Sequence, residues 1–414
     1  MNIKSYLDNN LRGEWLEVWI KIKTFVWRMI FVWPSWIGGF LILSVVWVLW
    51  PVKKIRFGHL YTSRIGHLCF NVDNYIYVTK KNKSNEIGIF TTDEVIANHQ
   101  IIKMWMRSTN IIFSNACKGA IQILKTFFSR SPLLINFCQE MHILSTTNSV
   151  TPANLCFLDY EEKKGREALD KIGIKVPFVC FHNRDNLYLE KYGQDGNLHD
   201  FRNSRITDYV PAIKQLTALG YHVLRMGQCV SESLHLEDEK YVNYTEMYRS
   251  EFMDVYLMAK AAFTVGTNTG FSQIPVIFRR AQILVNYIPF KINELTAWAA
   301  GSIIIPKKLY SKEQKRFLTF AETERLDQDI HYQGDFYRDH GLDVIDNTSE
   351  EIYEVVKEME ARLKGVWVQS QEDECLQKAC WDSFADQEAV SIVSQVLKTR
   401  MGAHFLRTNP YLIG

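Results

Sequence analysis

The chain carries almost no net charge. Its 48 Lys and Arg stand against 46 Asp and Glu, a balance of +2 at pH 7, so no broad nucleic-acid surface is written into it. No two of its eight cysteines have C-x-x-C spacing, and several lie in apolar runs. That excludes a disulfide framework and a zinc site and fits a reducing compartment. Cys180, inside a predicted strand, reads as a core residue. Walker loops and dinucleotide fingerprints are missing, as are repeats and low-complexity tracts. No Asp-x-Asp triplet of the kind that holds a divalent ion stands in a suitable loop, so no metal site and no cofactor are expected. What remains is ordinary: 47% apolar and 23% charged over 414 residues, a globular composition with room for two domains.

One segment departs from this. Met29 to Val52 is uncharged over 24 residues and has Trp33, Trp36, Trp47 and Trp50 near its ends. A helix of that length spans a hydrocarbon core of about 30 Å, and aromatic residues fit its interfaces. The segment is expected to attach to a membrane, as a span or a half-inserted hairpin, with a buried core helix as the alternative. Residues 1–28 are basic and read as an amphipathic N-terminus.

Downstream, residues 53–150 alternate strand and helix patterns: Lys54–Phe57, Glu86–Phe90 and Asn110–Phe113 as strands, Asp93–Met106 and Lys118–Phe128 as helices. Such a βαβαβ rhythm implies a parallel-sheet domain. Residues 151–174 form a linker and a charged helix, and residues 175–365 a second α/β domain. In the latter, Phe178–Phe181, Tyr221–Leu224, Ala261–Val265, Gln282–Val285, Gly301–Pro306 and Asp343–Ile345 read as strands. Phe271–Phe278 reads as a helix, and Thr348 or Ser349 caps another that runs to Lys364. Residues 366–414 are helices expected to pack back across the domains.

The strand ends of the second domain carry the chemistry. The first stops at His182-Asn183-Arg184-Asp185, the second at Arg225-Met226-Gly227, the third at Gly266-Thr267-Asn268-Thr269-Gly270. Ligands of open α/β sheets sit outside the carboxyl ends of the strands. Arg, Gly, Asn and Thr there suit an anion, and a nucleotide diphosphate fits best.

Two doubly wound parallel-sheet domains with a crevice between them are the plan of GT-B glycosyltransferases. The chain also resembles a bacterial family of glycosyltransferases associated with surface polysaccharides, over about residues 40 to 410. The matching residues are Ile55-Arg56-Phe57, Arg64-Ile65-Gly66-His67-Leu68, Phe181-His182, Arg184-Asp185 and His199-Asp200-Phe201-Arg202-Asn203. They continue with Arg225-Met226-Gly227, Gly266-Thr267, Thr269-Gly270, Asn286, Pro306-Lys307-Lys308, Asn347-Thr348 and Glu351-Ile352. The His-x-Arg-Asp pattern looks like the first motif of fucosyltransferases, where the basic residue meets the donor diphosphate. Asn268-Thr269 departs from the family pattern, which has Ser nearer the glycine. The resemblance implies sugar transfer from a nucleotide-sugar donor to a surface-glycan or lipid-linked acceptor. Because such donors are cytosolic, the membrane segment leads to the expectation of an inner-membrane enzyme with cytoplasmic catalytic domains. A nucleotide-sugar epimerase or hydrolase, or a non-catalytic glycan-assembly protein, stands as the alternative.

Within that reading Arg184 holds the diphosphate and neutralises charge on the leaving group, against the bland possibility of an ion pair with Asp185 or Asp200. Asp185 supports it. Arg202 and Arg225 offer further cations, and the loop from Gly266 to Gly270 a phosphate cradle ahead of a helix. Glu294 is placed to hold a ribose. His67 is the expected general base, because an unperturbed imidazole titrates near about 6.5. His59 is its rival, with Asp73 and Asp93 as acidic candidates, and Arg64 and Gly66 complete the acceptor side. Lys307 and Lys308 read as a solvated pair.

Overall fold

A computed structural model describes residues 23, 33–107, 110–137, 149–187, 196–228, 230–326 and 334–414. The chain divides into two compact units. The first comprises residues 1–63, 78–96 and 106–141, and the second residues 64–77, 97–105 and 142–414. The amphipathic pattern of residues 1–28 and the cysteines at 138 and 229 lie outside the described residues, apart from Lys23.

The first unit holds β1 (Ile55–Leu60), β2 (Ile87–Thr92), β3 (Ile111–Phe113) and β4 (Leu134–Ile135), in the order β3-β2-β1-β4. All neighbours are parallel, with Ile55 opposite Ile87 and Phe57 opposite Leu134. Phe57, Ile121, Leu124 and Leu134 form its core together with Val46.

Val46 belongs to the helix Trp33–Leu49, and this helix corrects the expectation of a membrane segment over residues 29–52 and of an inner-membrane location. Among the described residues, no helix is long and apolar enough to cross a membrane. The helix has 17 residues, roughly 25 Å at about 1.5 Å each, against a hydrocarbon core of about 30 Å. Its small residues make it a packing element. A Cβ on Gly39 would strike the backbone of Gly119 and Ala120, and one on Gly119 would strike Ser35. Two helix backbones therefore touch there, with Lys118–Phe127 as the partner.

The expected helix Asp93–Met106 shortens to His99–Trp105. Asp93 cannot join it, because its carboxylate accepts from the Ser63 amide at 2.9 Å and the Ser63 hydroxyl at 2.6 Å. Asn98 then caps the helix through Ile101 N–H at 3.0 Å, as a short amide side chain does well.

The second unit contains β5 (Phe178–Phe181), β6 (His222–Arg225), β7 (Tyr241–Val242), β8 (Thr264–Gly266), β9 (Gln282–Tyr287) and β10 (Ile303–Pro306). Then follow β11 (Lys308–Ser311), β12 (Arg316–Phe317), β13 (Leu342–Ile345) and β14 (Arg400–Met401). The main sheet is β14-β10-β9-β8-β5-β6-β7, parallel throughout. Every residue of β5 and β9 is buried, as expected of strands covered on both faces. The order reverses between β5 and β8: from β5 the chain adds β6 and β7 on one side, then β8, β9 and β10 on the other. Such a switch point leaves a crevice at the carboxyl ends of the two strands.

The sequence placed residues 343–345 with the parallel strands, but β13 pairs antiparallel with β11 in a separate small sheet. The chain leaves the main sheet at Pro306, which has no N–H to continue the ladder. Trp381, Phe384 and Val390 of the C-terminal segment lie in the core of this unit, and β14 closes the sheet edge.

Candidate functional site

The switch point places the ends of β5 and β8 side by side, and one packing constraint holds them there. His182, just past β5, is 3% exposed. Its ring fills the space that a side chain on Gly266 would need. The sequence assigned Gly266 to ligand approach, but packing against His182 accounts for it. Ser272 donates to the Thr267 carbonyl at 2.5 Å and lies 3.1 Å from His182 Nε2, so Nε2–H is the donor to Ser272. Burial, aided by Arg225, pushes the imidazole down to about 3, and the ring is neutral at physiological pH.

Two residues on stands Arg184, half-buried. Its Nε and Nη2 are buried and have no hydrogen-bond partner. Burial pulls its pKa down to about 10, helped by Arg202 and Arg64 and opposed by Asp185. Arg225, at the end of β6, is 1% exposed, and its Nε and Nη1 likewise have no partner. Only its Nη2 reaches an acceptor, the Glu232 carbonyl at 3.4 Å. Burial lowers its proton affinity, against Tyr241, Asp185 and Glu232. A buried donor left idle costs about 1–3 kcal/mol, more for an ion, so a site with two such guanidinium groups calls for an anion. Thr267 adds a hydroxyl that is buried and without a partner.

Other expected ligands have structural duties. Asp185 accepts from Ser231 N–H at 2.7 Å and Leu187 N–H at 3.1 Å, which fixes the loop and makes no direct bond to Arg184. Asn268 donates to the Ile288 carbonyl at 2.9 Å, and its main-chain oxygen accepts from Arg202 Nη2. Thr269 is half-buried and gives its N–H to Thr267 at 2.8 Å. Gly270 packs against Gly66: a Cβ on either would come within 2.9 Å of the other's backbone. Beyond the loop stand a single 3₁₀ turn, Gly270–Ser272, and the five-residue helix Gln273–Ile277. This replaces the expected longer helix, so its dipole adds little. Glu294 lies half-buried on the short helix Ile292–Leu295, and burial, with Glu294 adding to it, raises the pKa of the Tyr337 phenol.

On the acceptor side, Arg64, Gly66 and His67 fall in the second unit. His67 is exposed as the third residue of the helix Ile65–Lys81. Arg64 is exposed and contributes to the field at Arg184. His59 lies on β1 in the first unit, with both ring nitrogens engaged: Nδ1 with Thr91 Oγ1 at 3.0 Å and Nε2 with Asp93 at 3.1 Å. Burial lowers its pKa, Asp93 raises it, and Lys125 and Lys118 lower it further. With no nitrogen open to a substrate, His59 is a strut. Asp73 is buried in an ion pair with Arg279 at 2.8 Å.

Lys307 and Lys308 are not solvated. Both are buried, at 6% and 8% exposure. Lys307 Nζ donates to the carbonyls of Phe201 and Asn203 and to Asp346, at 2.6–2.8 Å. Lys308 pairs with Glu351 at 2.7 Å. The backbone N–H groups of Asn286 and Asn347 each donate to the other's side-chain Oδ1, at 2.5 and 2.7 Å, and Thr348 and Glu351 form a capping box. Much of the downstream pattern shared with the resembled family therefore builds the fold. His182 was missed as a site residue. Its signals were its position, a polar ring directly after an apolar strand, and its place in the His-x-Arg-Asp pattern.

No protein-family model matches the chain, and no curated protein matches it. Among solved structures it is similar to a glycosyl transferase family 9 protein from Veillonella parvula DSM 2008. The identity is 9%, over 75% of this chain and 98% of that one, at a TM-score of 0.45. It is similar to the iron-containing dodecameric glycosyltransferase TibC from enterotoxigenic E. coli H10407 at 12% identity, 75% and 77% coverage and a TM-score of 0.38. A third is the E. coli ADP-heptose LPS heptosyltransferase II, at 12% identity, 68% and 96% coverage and a TM-score of 0.39. At such identities and TM-scores the chemistry has to be read from the site itself.

Proposed function

We propose that this chain is a glycosyltransferase that moves a sugar from a nucleotide-diphosphate donor to a hydroxyl of a glycan acceptor. The observation that carries the reading is the pair of idle buried N–H groups on Arg184 at the β5–β8 switch point. A diphosphate supplies the acceptors they lack, and a guanidinium binds phosphate oxygens in a bidentate fork.

The proposed step is a single displacement. His67 takes the proton of the acceptor hydroxyl while its oxygen bonds to the anomeric carbon from the face opposite the leaving group. The anomeric C–O bond to the diphosphate breaks, and its electron pair leaves with the nucleotide. Arg184 stabilises that growing charge, with Arg202 and Arg225 enlarging the positive field. Stabilisation of developing charge by fixed donors is commonly the largest catalytic term. Inversion follows from the single displacement, and the arginines do the work that a divalent ion does in other transferases.

The test is a panel of UDP-, GDP-, ADP- and dTDP-sugars titrated into the chain in EDTA, with turnover followed on the donor that binds. Support requires a donor that binds without metal, loses affinity in Arg184→Ala, and binds but is not transferred in His67→Ala. Absence of binding by any nucleotide sugar overturns the reading. An activity that returns only with Mg²⁺ or Mn²⁺ overturns its metal-independent part.

A further inference from the structure

The opposite end of the same sheet holds a second cavity. It lies at the amino ends of β9, β10 and β14, has a volume of about 850 Å³, and is lined by Gln377, Trp381, Thr399 and Arg400 among others. That volume falls in the range of about 300–1,000 Å³ typical of small-molecule sites. Nothing in the transfer chemistry above uses it.

Its polar groups are unsatisfied in one direction. Thr399 is 1% exposed and Gln377 5% exposed, and both line the cavity. Thr399 Oγ1, Gln377 Nε2 and Arg400 Nε have no hydrogen-bond partner. Gln282, next in the chain to the lining residue Ala281, is 1% exposed with both ends of its amide idle. Two of the three idle lining atoms are pure donors, and the third, a hydroxyl, donates as readily as it accepts. The missing partner is thus an acceptor-rich ligand.

Charge agrees. Arg362, Lys378, Lys398 and Arg400 line the cavity against the acids Glu374 and Asp382, an excess of two cations. Lys378 is neutralised by Asp382 and Arg400 by Glu374, which leaves Arg362 and Lys398; Arg362 is paired with Glu358 beneath the lining. Lys398 is the exposed cation at the rim. Trp381, 6% exposed, gives the lining an apolar indole edge against which the C–H side of a sugar ring can rest. The wall next to it is a π-helical turn, Ile392–Val396, a local irregularity often found at functional sites.

We propose that this cavity is a binding site for an anionic saccharide, a sugar ring bearing a carboxylate or a phosphate. The acidic group meets Thr399, Gln377 and Arg400 Nε, and the ring lies toward Trp381. The site is separate from the donor crevice, and its existence does not depend on the transferase reading.

The experiment is calorimetric titration of the full chain with glucuronic acid, glucose 6-phosphate, glucose and inorganic phosphate. Binding of glucuronic acid, of glucose 6-phosphate, or of both supports the proposal and identifies which acidic group is read. Glucose and phosphate alone should bind at least about tenfold more weakly, since each lacks half of the recognition. Thr399→Val and Gln377→Leu should each weaken the bound probe about tenfold, and Arg184→Ala should leave it unchanged. Lys398→Asn guards against a misfolded core variant: it removes the rim charge, keeps a residue that tolerates the positive φ of 54° there, and should weaken binding a few-fold. If none of the four probes binds, ordered water fills the cavity and the proposal is wrong. It is equally wrong if Thr399→Val raises Tm and leaves probe binding untouched.

Discussion

Arg184 and Arg225 on one side, and Lys307 and Lys308 on the other, are cations at strand ends of the same unit with buried donor atoms, and they have opposite fates. Each lysine is satisfied from within: Lys307 spends its ammonium donors on two carbonyls and Asp346, and Lys308 meets Glu351. Each arginine keeps two buried N–H groups idle. A basic residue after a strand does not by itself declare a ligand. What distinguishes a clasp from a site is whether the fold supplies the acceptors. Where it does, the cation is structure; where it does not, something from outside must.

The sharpest test of that contrast is donor affinity. Arg184→Ala should weaken the bound nucleotide sugar by about 100-fold or more, because it removes charge-assisted bonds of about 1.5–3 kcal/mol each. Arg184→Lys should recover little, since an ammonium cannot reproduce the fork. Lys307→Met should leave affinity unchanged in calorimetry; a matching loss there would erase the distinction between clasp and site.

Stability should divide the pair in the other sense. Lys307→Met orphans two carbonyls and Asp346 and should lower the unfolding free energy by about 3 kcal/mol in urea titrations. Arg225→Met removes a buried charge with two idle nitrogens and should raise it in the ligand-free chain by about 1–2 kcal/mol. Equal destabilisation by both would mean that Arg225 is satisfied from within after all.

His182 links the arginines to acid sensitivity. Its folded pKa of about 3 lies below the unfolded value near about 6.5. The unfolded chain therefore binds the extra proton first as pH falls. The stability contribution is complete above about pH 6.5 and is lost as pH falls toward about 3, with a slope of up to about 1.4 kcal/mol per pH unit. Urea midpoints across that window, compared with His182→Gln, measure it; an unchanged slope in the variant would show that another group titrates. The smallest effect belongs to the capping box. Thr348→Ala should cost about 1 kcal/mol of stability and leave donor binding intact, although Thr348 belongs to the pattern shared with the resembled family.

Much of the scaffold was legible because it depends on local pattern. β5 runs Phe178–Phe181 as its apolar run implied, and the helix Ser349–Leu363 begins at the Thr348 cap. Short apolar runs bounded by polar turns have few alternatives. The short strands β7 and β14, each of two residues, carry no periodicity to read and exist because a neighbour offers a ladder. The uncharged run before Val52 misled for a related reason. Hydropathy records that a segment avoids water, not what covers it, and only the meeting of Gly39 with Gly119 shows a helix packed on a helix.

Site residues divide along the same line. Sequence alone determined which chemical groups stand at the strand ends, since a strand's end is fixed by its own residues: arginine after β5, arginine at β6, glycine and threonine after β8. Tertiary structure decided which of them are at liberty. It bound Asp185 and Asn268 to backbone groups, occupied both nitrogens of His59, buried the lysines with their acceptors, and left Arg184, Arg225 and Thr267 with donors unspent. The physical reason is that hydrogen-bond satisfaction depends on neighbours distant in the chain, and no local pattern of residues encodes it.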